Sequence, residues 1–567
     1  MPVTDYEPPG APAEPTAAAH PSTGDAAPAG ADEKPRPLAN RRRHSIPRIV
    51  WCIFGLHLTL LGAYTILVPT YRSPDEPLHV DLAHHWSTDF EYPDWNERET
   101  GSDVIRSLDL AHFQERAAHL TTGEATPKSE RRSFEELEDA ATARGINHMP
   151  QHPPLYYVIA GTAERATEVV IGDPDFQLET WIYRLLSVAI VAPLPLVIWR
   201  TSRTLALPDV VGVTAMLVPL AIPQYLHIGS SVNNDGPQFL LIWIMTPIIL
   251  RLARGELGTR TVVTAGVITG LGLLTKGFAF VTVAWVGCAL LLALGRLGRS
   301  ALPRIGRAGL TYGVISAALG GWWWIRNLVV SGMLMPSRYG EIIPDLPSDE
   351  RDVGHFIRVW ADLTNRRFWG DFGYFDTHIP LRVISVATVV AVLSILIACV
   401  GRDRLGGTRR ADRLLLLAPL LLLMAMQLET ALSGYLDSGR AAGLQGRYWF
   451  GSLAAVAVLV ALGGANVIRR RQRWLPLIAL AAVGVMQAFA LATILRFYWG
   501  DPGSSLTSRV RAVVAWAPLP GELIALTAII AAVVWVVATL EIGRLVRPRA
   551  PREPADSALE ASVALPR

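Results

Sequence analysis

Long apolar blocks separated by short polar stretches run along most of the chain. The clearest blocks are residues 48–69, 181–199, 381–400 and 474–495. Each is long enough for a transmembrane helix, because a bilayer core of ~30 Å needs roughly 20 apolar residues. The blocks are continuous, whereas a transmembrane β-barrel requires alternating polar and apolar positions. The pattern therefore predicts an all-α, polytopic membrane protein.

Arginines in the short loops predict how the chain is threaded, because basic loops stay in the cytoplasm. The basic loops are 200–203, 251–260, 296–307, 402–413 and 469–473. Their alternation with polar loops gives about twelve spans, both termini inside, and two large outer loops, 70–180 and 326–380. Residues 154–171 would make a thirteenth span, but their three charged side chains favour an interfacial or re-entrant helix.

Composition divides the chain into a membrane domain and two tails. Residues 1–40 are rich in proline, alanine and acidic groups, which predicts a disordered cytoplasmic tail. Residues 41–541 are expected to form the transmembrane domain, and residues 542–567 a second cytoplasmic tail. Three arginines precede the first span, so this span is expected to be a retained signal anchor in the cell membrane.

Charge and cysteine content add little to this picture. The net charge is +3 at pH 7, and its placement along the chain says more than its sum. The cysteines lie inside apolar runs, without neighbours at metal-ligand spacing, so neither a disulfide framework nor a zinc site is indicated. These cysteines are Cys52, Cys288 and Cys399. The glycine-rich phosphate loops of nucleotide-binding proteins are also missing from the sequence.

The stretch "SPDEPLHVDLAHHW" places an Asp-Glu pair and three histidines directly after the first predicted span. Ser73 and Glu76 fit a capping box at a helix start, which leaves Asp75 free and puts His79 one turn further on the same face. A carboxylate near a low-dielectric boundary gains basicity and suits a general base. Asp75, with Glu76 beside it, is thus the catalytic candidate. A divalent metal on Asp75, Glu76 and His79 is an option that the sequence does not require. The groups expected to be solvated or supporting are Asp81, His84 and His85.

Further candidates lie at the outer ends of other predicted spans. His152 is held in an extended segment by two prolines, Asn234 and Asp235 precede a span, and Lys276 interrupts an apolar run. An ionisable residue at such depth is a functional-site hypothesis by default. The alternatives are an aromatic-belt role for His152, helix capping by Asp235 and snorkelling of Lys276.

Two arginines and several aromatic residues complete the outer set. Arg326 ends "GGWWWIRN", and Arg447 lies in "QGRYWF" with Tyr448 beside it. A guanidinium presents paired donors to phosphate oxygens, and snorkelling is the alternative for both arginines. The loop "RRFWGDFGYFD" is suited to stacking against sugar rings or lipid headgroups. Its candidates for this role are Trp369, Phe372 and Tyr374.

Motifs in order along residues 50–500 resemble the bacterial GT-C superfamily of polyprenyl-phosphate-sugar-dependent glycosyltransferases. They are "SPDEPLH", "HPPLYY", "NND", "LLTKG", "WWWIRN", "FWGDFG" and "QGRYWF". The branch resembled consists of predicted membrane proteins with little biochemical annotation, related to protein mannosyltransferases and lipid A aminoarabinose transferases. The resemblance implies a GT-C fold, an outer vestibule and Asp75 as the base, with Glu76 beside it. The phosphate partners that it implies are Lys276, Arg326 and Arg447.

The expected activity is inverting transfer of a sugar from a polyprenyl-phosphate donor to a cell-envelope acceptor on the extracytoplasmic side. The acceptor is expected to be a cell-wall glycan, a glycolipid or a protein, and no nucleic-acid partner is expected. A transporter or lipid flippase, and a non-catalytic envelope-assembly protein, are the alternatives. Transporters gather charges near the membrane midplane, whereas here the ionisable residues gather at outer helix ends.

Overall fold

The computed structural model describes residues 46–113, 119–139, 142, 145–336, 351–401 and 408–547. The first ten helices are α1 Arg48–Leu67, α2 Glu76–Asp89, α3 Ser102–Leu110, α4 Phe134–Leu137, α5 Leu155–Ile171, α6 Phe176–Val191, α7 Leu194–Thr204, α8 Asp209–Leu217, α9 Pro223–Gly229 and α10 Asp235–Ala253. The others are α11 Thr259–Leu273, α12 Phe280–Leu297, α13 Leu302–Ser316, α14 Trp322–Ser331, α15 Val353–Trp369, α16 Leu381–Val400, α17 Arg410–Ser438, α18 Leu453–Ile468, α19 Leu475–Tyr498, α20 Leu506–Trp516 and α21 Gly521–Val546. The described strands are β1 Asp371–Phe372 and β2 Thr377–His378, which pair antiparallel.

Among the described residues, eight helical stretches are long and apolar enough to cross a membrane. They are Arg48–Leu67, Phe176–Thr204, Asp235–Ala253, Gly277–Leu297, Leu381–Val400, Arg410–Ser438, Gly446–Tyr498 and Gly521–Val546. The number becomes nine if the bent pair of α8 and α9 counts as one span. The predicted all-α polytopic membrane fold is confirmed. The number of twelve spans stays a prediction, because α11 has only 15 residues and one stretch contains both α18 and α19.

The chain bends by 73° between α8 and α9. Pro223 begins α9, and Ile222 before it is extended, with φ −113° and ψ 91°, as steric clash with a following proline favours. The bend brings His227 of α9 towards the segment between α1 and α2, where its Nε2 lies 3.0 Å from Ser73 Oγ. The bent pair therefore supports the segment that leads into α2.

The main core is formed by α1, α7, α8, α10, α18 and α19. Trp243 of α10 is fully buried there, and its Nε1 donates to the Phe450 carbonyl oxygen at 2.8 Å. By contrast, α16 and α21 are apolar but mostly unburied. Such helices are expected to face lipid, because apolar side chains carry no cost in a bilayer.

Helix α5 packs directly on α2 through Gly161. A Cβ atom at Gly161 would collide with the Ala83 carbonyl oxygen and the Ser87 amide, so the two backbones approach more closely than any larger residue allows. The opposite end of α5 exposes Val169 and Val170. That residues 154–171 do not cross the membrane stays a prediction.

Met1–Ile46 and Pro47–Arg567 form two separate units, and of the first only Ile46 is described. The tail predicted for residues 1–40 lies outside the described residues. So does most of the tail predicted for residues 542–567, while α21 continues to Val546.

Candidate functional site

Four charged side chains from distant parts of the chain meet near the ends of α2, α10 and α11. Arg447 Nη2 donates to Asp75 Oδ2 at 3.0 Å, and Arg447 Nε lies 3.3 Å from Asp235 Oδ2. Lys276 Nζ donates to Asp235 Oδ1 at 2.5 Å and to Asn234 Oδ1 at 3.2 Å. We call these five residues the central charge cluster. It pairs two carboxylates with two cations, so its formal charge is balanced.

Asp235 is the first residue of α10, yet it does not cap the helix. The cap comes from Asn233, whose Oδ1 accepts from the backbone N–H of Asp235 at 2.9 Å and of Gly236 at 3.2 Å. The Asp235 carboxylate is therefore free to bind the two cations. The capping role of Asn233 was not predicted, although an asparagine just before a helix is a recognised capping signal.

Lys276 lies in an extended segment between α11 and α12, with φ −162° and ψ 150°. Its side chain is 9% exposed, and its Nζ lies 5.4 Å from the centre of the Tyr448 ring. The snorkelling alternative does not apply, because the ammonium turns inward to Asp235 and Asn234.

Arg447 is held by close packing of its own backbone. A Cβ atom at Gly446 would collide with the Thr364 carbonyl oxygen and with the backbone of Phe368, both on α15. The Arg447 guanidinium is 4% exposed and spans the two carboxylates of the cluster. Its Cζ lies 5.7 Å from the Tyr448 ring centre, a cation–π distance.

Asp75 is the accessible carboxylate of the cluster. Its side chain is 34% exposed, compared with 2% for Asp235. Its backbone is left-handed, with φ 64° and ψ 5°, which costs a non-glycine residue roughly 1–2 kcal/mol. The Asp75 N–H donates to the Tyr374 hydroxyl at 3.1 Å. Such strain persists where surrounding contacts impose it, and it clusters at functional sites.

Glu76 differs from the expectation both in its position in α2 and in the partner of its carboxylate. Helix α2 begins at Glu76 itself, so the capping box with Ser73 is wrong. The Glu76 carboxylate is fully buried against Arg184, with Nε to Oε1 at 2.8 Å and Nη2 to Oε2 at 2.7 Å. It also accepts from the Val232 N–H at 3.1 Å. All of these partners are internal, so Glu76 is a structural residue in this arrangement and not a catalytic one.

The His79 imidazole has a partner other than the Asp75 carboxylate. His79 Nδ1 lies 2.8 Å from the Tyr157 hydroxyl, and the two rings stack. Burial, together with the positive charge of Lys276, holds the pKa of His79 well below its ordinary value. The same two causes lower the pKa of His152. Both imidazoles are therefore neutral near pH 7.

Arg326 and two of the three aromatic candidates have other partners. Arg326 pairs with Asp94 and lies 5.1 Å from the Trp323 ring centre. Trp369 is buried, and its Nε1 donates to Thr388 Oγ1 at 2.8 Å. Phe372 is fully buried. Trp369 and Phe372 are thus core residues here and cannot stack on a ligand. Among the expected aromatic side chains of this loop, Tyr374 alone contacts Asp75.

The expected metal set of Asp75, Glu76 and His79 does not converge either, since Glu76 turns to Arg184. Among the described residues, a group with metal-ligand spacing lies elsewhere. His84, Glu164 and Glu179 offer ligand atoms that all lie within 4.8 Å of one another. This group lies between α2, α5 and α6 and shares no residue with the central charge cluster.

Two solved structures illustrate what the chain is similar to. One is the crystal structure of ArnT from Cupriavidus metallidurans bound to undecaprenyl phosphate, with 12% identity and a TM-score of 0.40, over 88% of this chain and 77% of that chain. The other is the crystal structure of the Archaeoglobus fulgidus oligosaccharyltransferase in complex with Zn and sulfate, with 13% identity and a TM-score of 0.41. That match covers 80% of this chain and 54% of the oligosaccharyltransferase.

No curated protein matches the chain. Residues 58–456, however, match the family described as Predicted membrane protein (DUF2142). This range is well over half of the chain, and it contains every member of the central charge cluster. The description of this family agrees with the membrane protein that the sequence predicts. The chain therefore belongs to the family of predicted membrane proteins DUF2142.

Proposed function

We propose that this protein is an integral membrane glycosyltransferase that moves a sugar from a polyprenyl-phosphate donor to a cell-envelope acceptor. The main support for this proposal is the contact of Asp75 with Arg447, because it joins a part-exposed carboxylate to a buried guanidinium. A guanidinium and an ammonium in one place suit a phosphate, and an accessible carboxylate beside them suits a general base. The motifs shared with GT-C transferases support the same activity.

The proposed reaction is a single displacement with inversion. The oxygen of an acceptor hydroxyl attacks the anomeric carbon while the bond from that carbon to the phosphate oxygen breaks. Asp75 accepts the hydroxyl proton, and the polyprenyl phosphate leaves with the bonding electrons. Arg447 and Lys276 stabilise the charge that develops on the leaving phosphate, which is usually the largest catalytic contribution in such a site.

Arg447 links the donor to the base in this proposal. Its Nη2 donates to Asp75 Oδ2 at 3.0 Å. A donor phosphate that takes over this guanidinium frees the Asp75 carboxylate at the moment when a base is needed. The buried pair of Lys276 with Asp235 at 2.5 Å keeps the second cation in place throughout.

Reconstitution tests the proposal. Purified protein in liposomes is supplied with polyprenyl-phosphate sugars and candidate glycan, glycolipid or protein acceptors, and transfer is measured. Asp75→Asn should lower the rate by about 10²–10⁴-fold. Asp89→Asn, an exposed carboxylate at the other end of α2, should retain the rate of the unmodified protein.

Transfer that is unchanged in Asp75→Asn would remove Asp75 as the base. A wild-type protein that transports lipid but transfers no sugar would favour a flippase.

The proposed site faces the extracytoplasmic side of the cell membrane, with both termini inside. A reporter fused after residue 175 should accordingly read extracytoplasmic, and a cytoplasmic signal would contradict this sidedness.

A further inference from the structure

A second group of ionisable side chains lies on α2, α3, α5 and α6. His84 Nδ1 lies 2.5 Å from Glu164 Oε1 and 3.4 Å from Glu179 Oε1. The other ring nitrogen, Nε2, lies 3.3 Å from Asp103 Oδ2. We call these four residues the histidine–carboxylate cluster. None of them belongs to the central charge cluster, and the glycosyl transfer proposed above does not use them.

The charge of this cluster is not balanced by its members. Three carboxylates meet one imidazole, so that even a protonated His84 leaves a net negative charge. Glu164 and Glu179 are almost completely buried, with 1% and 5% of their side chains exposed. Like charges in a buried site are costly unless a cation compensates them.

Glu179 supplies an independent sign of a missing partner. Its Oε1 is buried and has no hydrogen-bond partner among the residues that the structure describes. The nearest donor, His84 Nδ1, is already engaged by Glu164 at the shorter distance of 2.5 Å. Buried polar atoms are rarely left without a partner, and an exception calls for an ion or water that completes the site.

The geometry around His84 matches that of a metal-bound imidazole. A carboxylate on one ring nitrogen fixes the tautomer and turns the other nitrogen towards the metal. Asp103 contacts Nε2 in this way, and Nδ1 faces Glu164 and Glu179, so a metal ion bound there would replace the proton through which Nδ1 contacts Glu164. The Tyr183 hydroxyl donates a hydrogen bond to Glu164 Oε2. Carboxylates that bind a metal are commonly held by such a hydrogen bond.

We propose that His84 Nδ1, Glu164 and Glu179 bind one divalent transition-metal ion of the Zn²⁺ class. One imidazole and two carboxylates form a ligand set that suits such ions, with a water in a remaining position. A small cavity lined in part by Glu164, Glu179 and Glu168 lies beside the ligands. Asp103 is the positioning residue, because it orients His84 without touching the metal.

The consequence of this site is mechanical. The ion ties α2 to α5 and α6, at the place where Gly161 already brings α2 and α5 together. Asp75 lies at the first end of the same helix α2. The metal thus holds the helix that carries the accessible carboxylate, while it remains outside the reaction.

Metal binding by the full-length protein in detergent tests the site. The purified protein is stripped with a chelator, dialysed and titrated with Co²⁺, whose visible absorption reports coordination, and Zn²⁺ is then added in competition. One ion per chain is expected, and Zn²⁺ should raise the midpoint of thermal unfolding. Glu179→Gln and His84→Gln should weaken Co²⁺ binding at least about tenfold.

Two further variants make the result decisive. Glu168→Gln alters a carboxylate of the same cavity that is not a proposed ligand, and it should bind Co²⁺ as the unmodified protein does. Asp103→Asn should weaken binding while it leaves one ion per chain. The proposal is overturned if the unmodified protein binds no Co²⁺, or if Glu179→Gln binds it equally well. A purely hydrogen-bonded cluster would also be revealed by thermal unfolding that Zn²⁺ leaves unchanged in every variant.

Discussion

Helix α2 connects the two clusters, because Asp75 of the central charge cluster directly precedes it and His84 of the histidine–carboxylate cluster lies on it. The two clusters nevertheless differ in their charge balance. In the first, two carboxylates meet two cations, and Asp75 is left 34% exposed. In the second, three carboxylates meet one imidazole, and both glutamates are buried. A balanced cluster with one accessible carboxylate suits a ligand that comes and goes, whereas the buried cluster with excess negative charge suits the bound cation proposed above.

The largest expected effect comes from breaking the balance of the central charge cluster. Arg447→Met leaves Asp75 and Asp235 facing each other without their shared guanidinium, and removing one partner of a buried ion pair costs about 3–5 kcal/mol. The unfolding midpoint in detergent should fall steeply, and sugar transfer should be lost. Arg447→Lys should keep more of the stability but little of the transfer, because an ammonium cannot bridge two carboxylates as a guanidinium does.

Arg382→Ala provides the control, since Arg382 is exposed at the start of α16. Its stability should stay within about 0.5 kcal/mol of the unmodified protein, as surface substitutions usually do. Equal stability of Arg447→Met and Arg382→Ala would show that the cluster is not held together by Arg447.

The second effect separates the neighbours Asp75 and Glu76. Glu76→Gln leaves the buried Arg184 without its counter-charge, and several kcal/mol of folding free energy should be lost. Asp75→Asn should retain the unfolding midpoint within a few degrees and lose the transfer activity. Thermal unfolding and transfer, measured on both variants, assign structure to one carboxylate and chemistry to the other. A stable, active Glu76→Gln protein would contradict this division.

The smallest expected effect is a pH dependence of stability from His79. Its pKa in the folded protein is well below the ordinary value because of burial and the positive charges that face it. These charged and titratable groups are Lys276, His152, Arg447 and His148. The unfolded chain takes up a proton below about pH 6.5, and the folded protein does not, so the free energy of unfolding should fall as the pH drops below that value.

The slope from this one group is at most about 1.4 kcal/mol per pH unit. His79→Gln, which can keep a hydrogen bond to Tyr157, should flatten the dependence when unfolding midpoints are compared between pH 7.5 and 5. An identical slope in the variant would mean that other groups cause the loss of stability.

Much of the fold followed from the sequence, because an apolar run of ~20 residues has few stable states other than a membrane helix. Charged residues at helix ends were also informative, since a buried charge needs a partner. Asp75, Asp235, Lys276 and Arg447 were all candidates, and the structure brings them together. Which of them pair could not be read from the sequence, because the pairing depends on contacts across hundreds of residues.

Other parts of the site could not be predicted for identifiable reasons. Trp369 and Phe372 are buried, although the composition of their loop suits stacking against a sugar. An aromatic-rich sequence is compatible with a buried core as well as with an exposed binding surface, so composition alone could not distinguish the two. His84 was expected to be solvated, and its glutamate partners come from α5 and α6. Arg184 was missed inside an apolar block, although it interrupts that block as Lys276 interrupts its own, which is the usual sign of a functional or paired charge.

The left-handed backbone of Asp75 limits which substitutions can probe its chemistry. At φ 64°, asparagine, aspartate and glycine are tolerated best among the twenty residues. Asparagine therefore removes the charge and preserves the shape of the turn. Glutamate, the nearest relative in chemical terms, would disturb the start of α2 before its carboxylate could act. At this position the backbone conformation, more than the chemistry of the side chain, determines which substitutions are tolerated.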